Sequence, residues 1–134
     1  MKRFGRNTRY RRISSVALLK SVLEGREGEL LRAVAMVEYP EVLEDLKNNV
    51  CPACGFRARR WISLYAHIVR TKCLATVSYV ARDIIDRYER ARQFIEREVY
   101  TTHTRWRIKY QTTWYSTAEE AYRAFRSMDV IVVR

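Results

Sequence analysis

Apolar residues recur every three or four positions along much of the chain, and the breaks in that rhythm divide it into elements. Residues 14–24 read as a helix with Ser14 or Ser15 at its N-cap. Gly25 and Gly28 punctuate the chain. A second helix then runs over about Glu29–Glu38, with Leu30, Leu31, Val34 and Val37 on one face, and Pro40 opens a short third helix to Lys47. Over residues 74–99, Leu74, Val77, Ala81, Ile84, Tyr88, Ala91 and Ile95 follow a three-four alternation that predicts one long amphipathic helix. Val80, Ile85 and Phe94 widen its stripe beyond a two-position seam, which favours a core helix over a coiled-coil dimer.

The period changes to two over residues 104–114. Trp106, Ile108, Tyr110 and Trp114 fall on one face and Arg105, Arg107, Lys109 and Gln111 on the other, which predicts a half-buried strand with a basic outer face. Ser116 or Thr117 caps a helix that contains Ala118, Ala121, Tyr122 and Phe125, with Glu119 and Glu120 in its first turn. Residues 130–133 read as a final buried strand. A strand, a helix and a strand suggest a right-handed crossover, with a third strand from elsewhere or from a second subunit.

The fold class expected is therefore α+β and mainly helical. At 134 residues and 16.0 kDa the chain has the size of one domain, taken as residues 13–134 behind a basic flexible arm at 1–12. Apolar residues are 48% of the chain, too many for intrinsic disorder. No apolar run approaches the ~20 residues of a membrane-spanning helix, and no secretion signal follows the basic N-terminus. No membrane partner and a cytoplasmic location are expected.

The net charge of +11 points to a polyanionic partner, and its distribution sharpens that inference. Residues 1–12 carry +6, 13–50 carry −3, 51–73 carry +5 without an acid, 74–100 sum to zero and 101–134 carry +3. Asn and Gln total five, which with abundant Arg and Tyr points to a thermophilic source.

The three cysteines, Cys51, Cys54 and Cys73, are an odd number and ask for a fourth partner. Spacing supplies His67, giving C-x2-C-x12-H-x5-C. Zinc takes four sulfur or nitrogen ligands in a tetrahedron, so one structural Zn2+ held by Cys51, Cys54, His67 and Cys73 is the expectation. Leu64 lies one turn before His67, placed to pack under the metal, and Gly55 permits the tight turn after the knuckle. A redox C-x-x-C motif, catalytic zinc and an unmetallated set of buried residues are the competing readings. A redox motif needs a helix starting at its second Cys, and Cys54-Gly55-Phe56 does not offer one. Four ligands also close the shell that catalytic zinc keeps open.

On these residues the stretch 50–74 resembles the Cys-Cys-His-His zinc fingers in their Cys-Cys-His-Cys variant. The resemblance implies a ββα layout with its helix over about residues 60–72. The sequence departs from the family at Ala58, where an aromatic is usual, with Phe56 and Trp61 as nearby substitutes. The resemblance further implies that Arg60, Ser63 and Ala66 face base edges, with Arg57, Arg59, Arg70 and Lys72 holding phosphates. As a whole the chain is similar to small zinc-finger proteins encoded by viruses of hyperthermophilic archaea, which implies the host cytoplasm and viral or host DNA.

The expected function is nucleic-acid binding, with duplex DNA as partner and transcriptional regulation as the role. One finger reads about three base pairs and needs help. Arg3, Arg6, Arg9, Arg11 and Arg12 of the arm, and Arg105, Arg107 and Lys109 on the outer strand face, are candidates to supply it; a solubilising tail and a solvated strand are the alternatives. A homodimer through the 74–99 helix or the C-terminal sheet would double the contacts. A zinc-stapled structural or protein-interaction module is the rival, and RNA or single-strand binding a third option. A helix-turn-helix reading of the first three helices is set aside, because Glu41, Glu44 and Asp45 would repel phosphates. No enzyme is expected: His103 lacks a Cys or Ser partner, and four Gly provide no phosphate loop.

Overall fold

In the computed structural model the described residues are 15–133, with side chains to residue 128. Helix α1 spans 15–23 and places Val16, Leu19 and Val22, each at most 1% exposed, on one side. It ends at Gly25, whose φ of +75° suits glycine. Gly25 N–H donates to Val22 O at 3.1 Å and Arg26 N–H to Ser21 O at 3.0 Å, the paired closure that satisfies helix-end carbonyls. Helix α2 (Glu29–Glu38) buries Leu30, Leu31, Ala33, Val34 and Ala35 against residues 73–91 and 118–133, and α3 (Pro40–Lys47) starts on its proline.

Next come α4 (Trp61–Arg70), α5 (Cys73–Ala91), β1 (Ile95–Val99), β2 (Thr104–Ile108), β3 (Trp114–Tyr115) and α6 (Ala118–Val133). The strands form one antiparallel sheet in the order β1-β2-β3. The architecture is mainly helical α+β, as the hydrophobic pattern predicts. One hydrophobic core joins residues from all six helices to Ile95, Trp106 and Ile108. No helix among the described residues is long and apolar enough to cross a membrane.

Several expectations are corrected. The helix read over 74–99 starts at Cys73 and stops at Ala91, and Ile95–Val99 is a strand. Ile95 meets both the helical and the alternating period. Pairing decides the outcome, because Glu96 and Glu98 lie opposite Arg107 and Arg105 in the ladder. The apolar stripe of α5 (Val77, Val80, Ala81, Ile84, Ala91) is buried within the chain, as a core helix requires.

The strand read over 104–114 is two strands. Tyr110 turns the chain at φ +67° and is 95% exposed, not on a buried face. The turn also resets the alternation: Trp114 pairs with Arg107 and shares its face rather than that of Trp106. Residues 130–133 form the end of α6, not a strand, so the sheet is a meander without a crossover. A four-residue apolar run does not distinguish strand from helix, and α6 has already been started by Thr117, whose Oγ1 accepts the Glu120 N–H at 3.1 Å.

Glu38 ties the helices together. Its carboxylate, 6% exposed, accepts hydrogen bonds from the Tyr122 hydroxyl (2.6 Å), Arg126 Nε (2.7 Å) and Arg87 Nη1 (3.3 Å). Arg87 also bonds Asp83, which accepts the Tyr39 hydroxyl at 2.6 Å. Burial pushes the Glu38 carboxyl up, but the donors and the charges of Arg87 and Arg126 outweigh it and hold the group below its ordinary range. Asp83 is lowered in the same way by Tyr39 and Arg87 against burial, while burial and Asp83 push Tyr39 up to about 12.

Candidate metal centre

The site begins where α3 ends. Asn49 takes the left-handed conformation (φ 59°), and Val50 N–H returns to Asp45 O at 2.8 Å. One antiparallel bridge, Val50 with Arg57, stands where the resemblance implied two finger strands. With no second bridge to extend it, the hairpin is closed by Ala58 N–H to Asn49 O (2.9 Å) and Cys51 N–H to Phe56 O (2.8 Å). Inside it the Cys51–Cys54 turn is closed by Gly55 N–H to Cys51 O at 2.8 Å. Gly55 has φ +85°, so the knuckle needs glycine there, as its position in the sequence predicts.

The helix expected over residues 60–72 is shorter, running from Trp61 to Arg70. Thr71 turns extended (φ −126°, ψ 178°), and its Oγ1 accepts the Cys73 N–H at 3.2 Å. A second helix therefore begins at the fourth ligand. This break lets Cys73 face the same point as His67, which an unbroken helix would prevent at a separation of six residues. Leu64 and Ile68, both fully buried, anchor α4 to the core on either side of His67, and Trp61 packs at its start beneath Lys20 Nζ, 4.9 Å from the ring centroid.

Cys51, Cys54, His67 and Cys73 converge. Their ligand atoms all lie within 4.8 Å of one another, with His67 Nε2 3.2 Å from Cys54 Sγ and 3.7 Å from Cys73 Sγ. Donors around one tetrahedral ion with bonds of about 2.0–2.3 Å sit roughly 3.5–3.8 Å apart, so the four residues fit a single metal ion. None of the cysteines is in a disulfide. Cys51 is buried and Cys54 exposed, so the cluster lies between core and surface. Burial pushes the Cys51 thiol up to about 11, whereas the Thr71 hydroxyl holds Cys73 below the ordinary thiol range. A cation at the centre supplies what the buried thiol lacks for ionisation. Phe56 stacks on the His67 ring, a contact that sequence reasoning did not assign.

The candidate nucleic-acid residues divide into three groups. Arg57, Arg59, Arg60, Arg70 and Lys72 lie in the segment between Cys54 and Cys73, are all exposed, and form no ion pair with a described residue. Ser63 is exposed and Ala66 half-buried on α4. Arg105 and Arg107, by contrast, are held by Glu98 (2.7 Å) and Glu96 (2.8 Å) and lie over the Trp114 ring at 3.7 and 4.6 Å from its centroid. The basic outer face expected of that strand is therefore charge-compensated. Lys109 is exposed in the turn after β2. Arg3, Arg6, Arg9, Arg11 and Arg12 lie outside the described residues.

Fold and site together define a mainly helical α+β chain with four Cys and His residues gathered closely enough to hold one metal ion. Comparison with family models, curated proteins and solved structures returned no match, so the likeness to zinc fingers rests on the ligands and their geometry.

Proposed function

We propose that the chain is a zinc-stapled nucleic-acid-binding protein whose partner is duplex DNA, acting as a small transcriptional regulator. Three thiols and an imidazole are a zinc donor set, and four protein ligands fill the tetrahedral shell without leaving a place for substrate water. The ion's part is then to hold the knuckle, α4 and α5 together where the local core is small.

The observation that carries the DNA reading is the contrast in ion pairing. Arg105, Arg107, Arg87, Arg123 and Arg126 all lie against carboxylates, whereas Arg57, Arg59, Arg60, Arg70 and Lys72 have none among the described residues; Arg32, Lys47, Arg82, Arg97 and Lys109 are also without one, but the five stand together in residues 46–82, the longest stretch of the chain without an acid. Three thiolates with one divalent ion leave the centre near −1, and the five cations more than offset it. An array of exposed, uncompensated guanidinium groups suits a phosphate backbone. One observation favours the protein-interaction reading instead: Ile62, on α4 between Arg60 and Arg70 in sequence, is 65% exposed.

The test is fluorescence anisotropy of the zinc-loaded protein with a labelled mixed-sequence duplex across a salt series, with single-stranded DNA and RNA as parallel arms. Submicromolar duplex binding that weakens steeply with salt supports the reading. No binding at low salt rejects it in favour of a protein partner, and a preference for single strands or RNA rejects duplex DNA.

A further inference from the structure

Only Thr71 and Lys72 separate α4 from α5, and the metal cluster bridges that turn. His67 belongs to the last turn of α4, Cys73 is the first residue of α5, and their donor atoms are 3.7 Å apart. An ion held by both fixes the direction in which α5 leaves α4.

Val77, Val80, Ala81 and Ile84 turn one side of α5 into the core. Lys72, Ala75, Thr76, Tyr79 and Arg82 fall on the other side at helical spacing, and every one of them is exposed, Tyr79 at 59%. Neither Lys72 nor Arg82 forms an ion pair with a described residue. No Asp or Glu occurs between residues 46 and 82; the first acid beyond, Asp83, is occupied by Tyr39 and Arg87, and the next, Asp86, is exposed one turn past Arg82 on the same side and marks where the basic surface ends. The outward side of α4 is less suited to base edges, since it offers Ile62, Ser63 and the half-buried Ala66.

We propose that the first three turns of α5, rather than α4, form the helix that enters the major groove of duplex DNA. Ala75 and Thr76 are small enough for close approach. Thr76, Tyr79 and Arg82 present donors to base edges, Lys72 lies at the rim, and Arg57, Arg59, Arg60 and Arg70 hold flanking phosphates. This placement rests on the DNA-binding reading above.

A duplex enriched from a random pool by the zinc-loaded full-length protein tests it, with affinities read by anisotropy. Tyr79→Ala removes no charge, so purely electrostatic attachment would leave affinity unchanged. The expected result is a loss of about tenfold or more for Tyr79→Ala and for Arg82→Ala, with Ile62→Ala and Lys47→Ala within about twofold of wild type and all melting temperatures unchanged. Two results overturn the placement while leaving DNA binding intact: Tyr79→Ala and Arg82→Ala both binding like wild type, or Ile62→Ala and Ser63→Ala causing the large loss. A wild-type protein that enriches and binds no duplex overturns the DNA-binding reading, and the placement with it.

Discussion

The Phe56 ring lies 4.3 Å from the His67 imidazole, centroid to centroid, with the two planes 17° from parallel. A residue of the hairpin thus fixes the orientation of a ligand borne by α4. Phe56→Ala frees that ring, and metal binding should weaken about tenfold, as for other groups that orient a ligand. Competition with a chromophoric chelator measures it. Unchanged affinity would show that α4 alone orients His67.

Metal removal should destabilise the whole chain, because Cys51 belongs to the same core as Leu46, Leu64 and Ile68. Chelation, or Cys51→Ser, is expected to lower Tm by on the order of 10 °C or more. An unchanged melting curve, with no zinc found in the purified protein, would sink the metal site.

The carboxylates of Glu38 and Asp83 set the acid limit. Both are held below their ordinary values of 4.5 and 3.8, so their contribution is complete above those values and is lost as pH falls through the lowered ones. Glu38→Gln should cost about 2 kcal/mol at pH 7, since it leaves Arg87 and Arg126 facing a neutral group. Urea unfolding of both proteins from pH 7 to pH 3 should show that difference shrinking below pH 4.5. A constant difference would mean that ionised Glu38 is not what the donors stabilise. At the alkaline end Tyr39 works in the opposite sense: its raised value keeps the hydroxyl a donor to Asp83, a contribution present below pH 10 and lost as pH approaches 12.

Charge removal should distinguish the two basic surfaces. Arg57→Ala with Arg59→Ala should reduce the magnitude of the salt slope of duplex binding by about one for each phosphate that is no longer neutralised. Arg105→Ala with Arg107→Ala should leave it unchanged, because Glu98 and Glu96 already neutralise those groups. Equal effects would place phosphates on the sheet as well. Deleting residues 1–12 should lower the slope further, and an identical slope would mean that the arm touches no phosphate.

What was legible in the sequence is what local chemistry determines. Pro40 and the Gly28 boundary gave α2 and α3 their limits, and the spacing of Cys51, Cys54, His67 and Cys73 identified the cluster before any geometry. What was not legible depends on partners distant in sequence. Ile95 fits a helix and a strand equally, and only the ladder with Ile108 settles it. Trp114 changes face because a turn at Tyr110 intervenes, and a period carried across a turn loses its phase. Glu38, at the end of an amphipathic helix, looks like an ordinary surface acid until Tyr122 and Arg126 are brought to it. The break at Thr71 was masked because residues 70–76 contain no glycine or proline to mark it.

Glu38 also bears on how the chain acquires its structure during synthesis. Its donors come 49, 84 and 88 residues later, at Arg87, Tyr122 and Arg126. While the chain is being made, that carboxylate stays solvated and α2 lacks the cover of α6 until α6 has emerged. The four residues of the candidate metal cluster, by contrast, are all in place in the chain by residue 73. An ion bound there would meet all of its ligands before Glu38 meets its donors, and cooperative closure of the domain waits for α6.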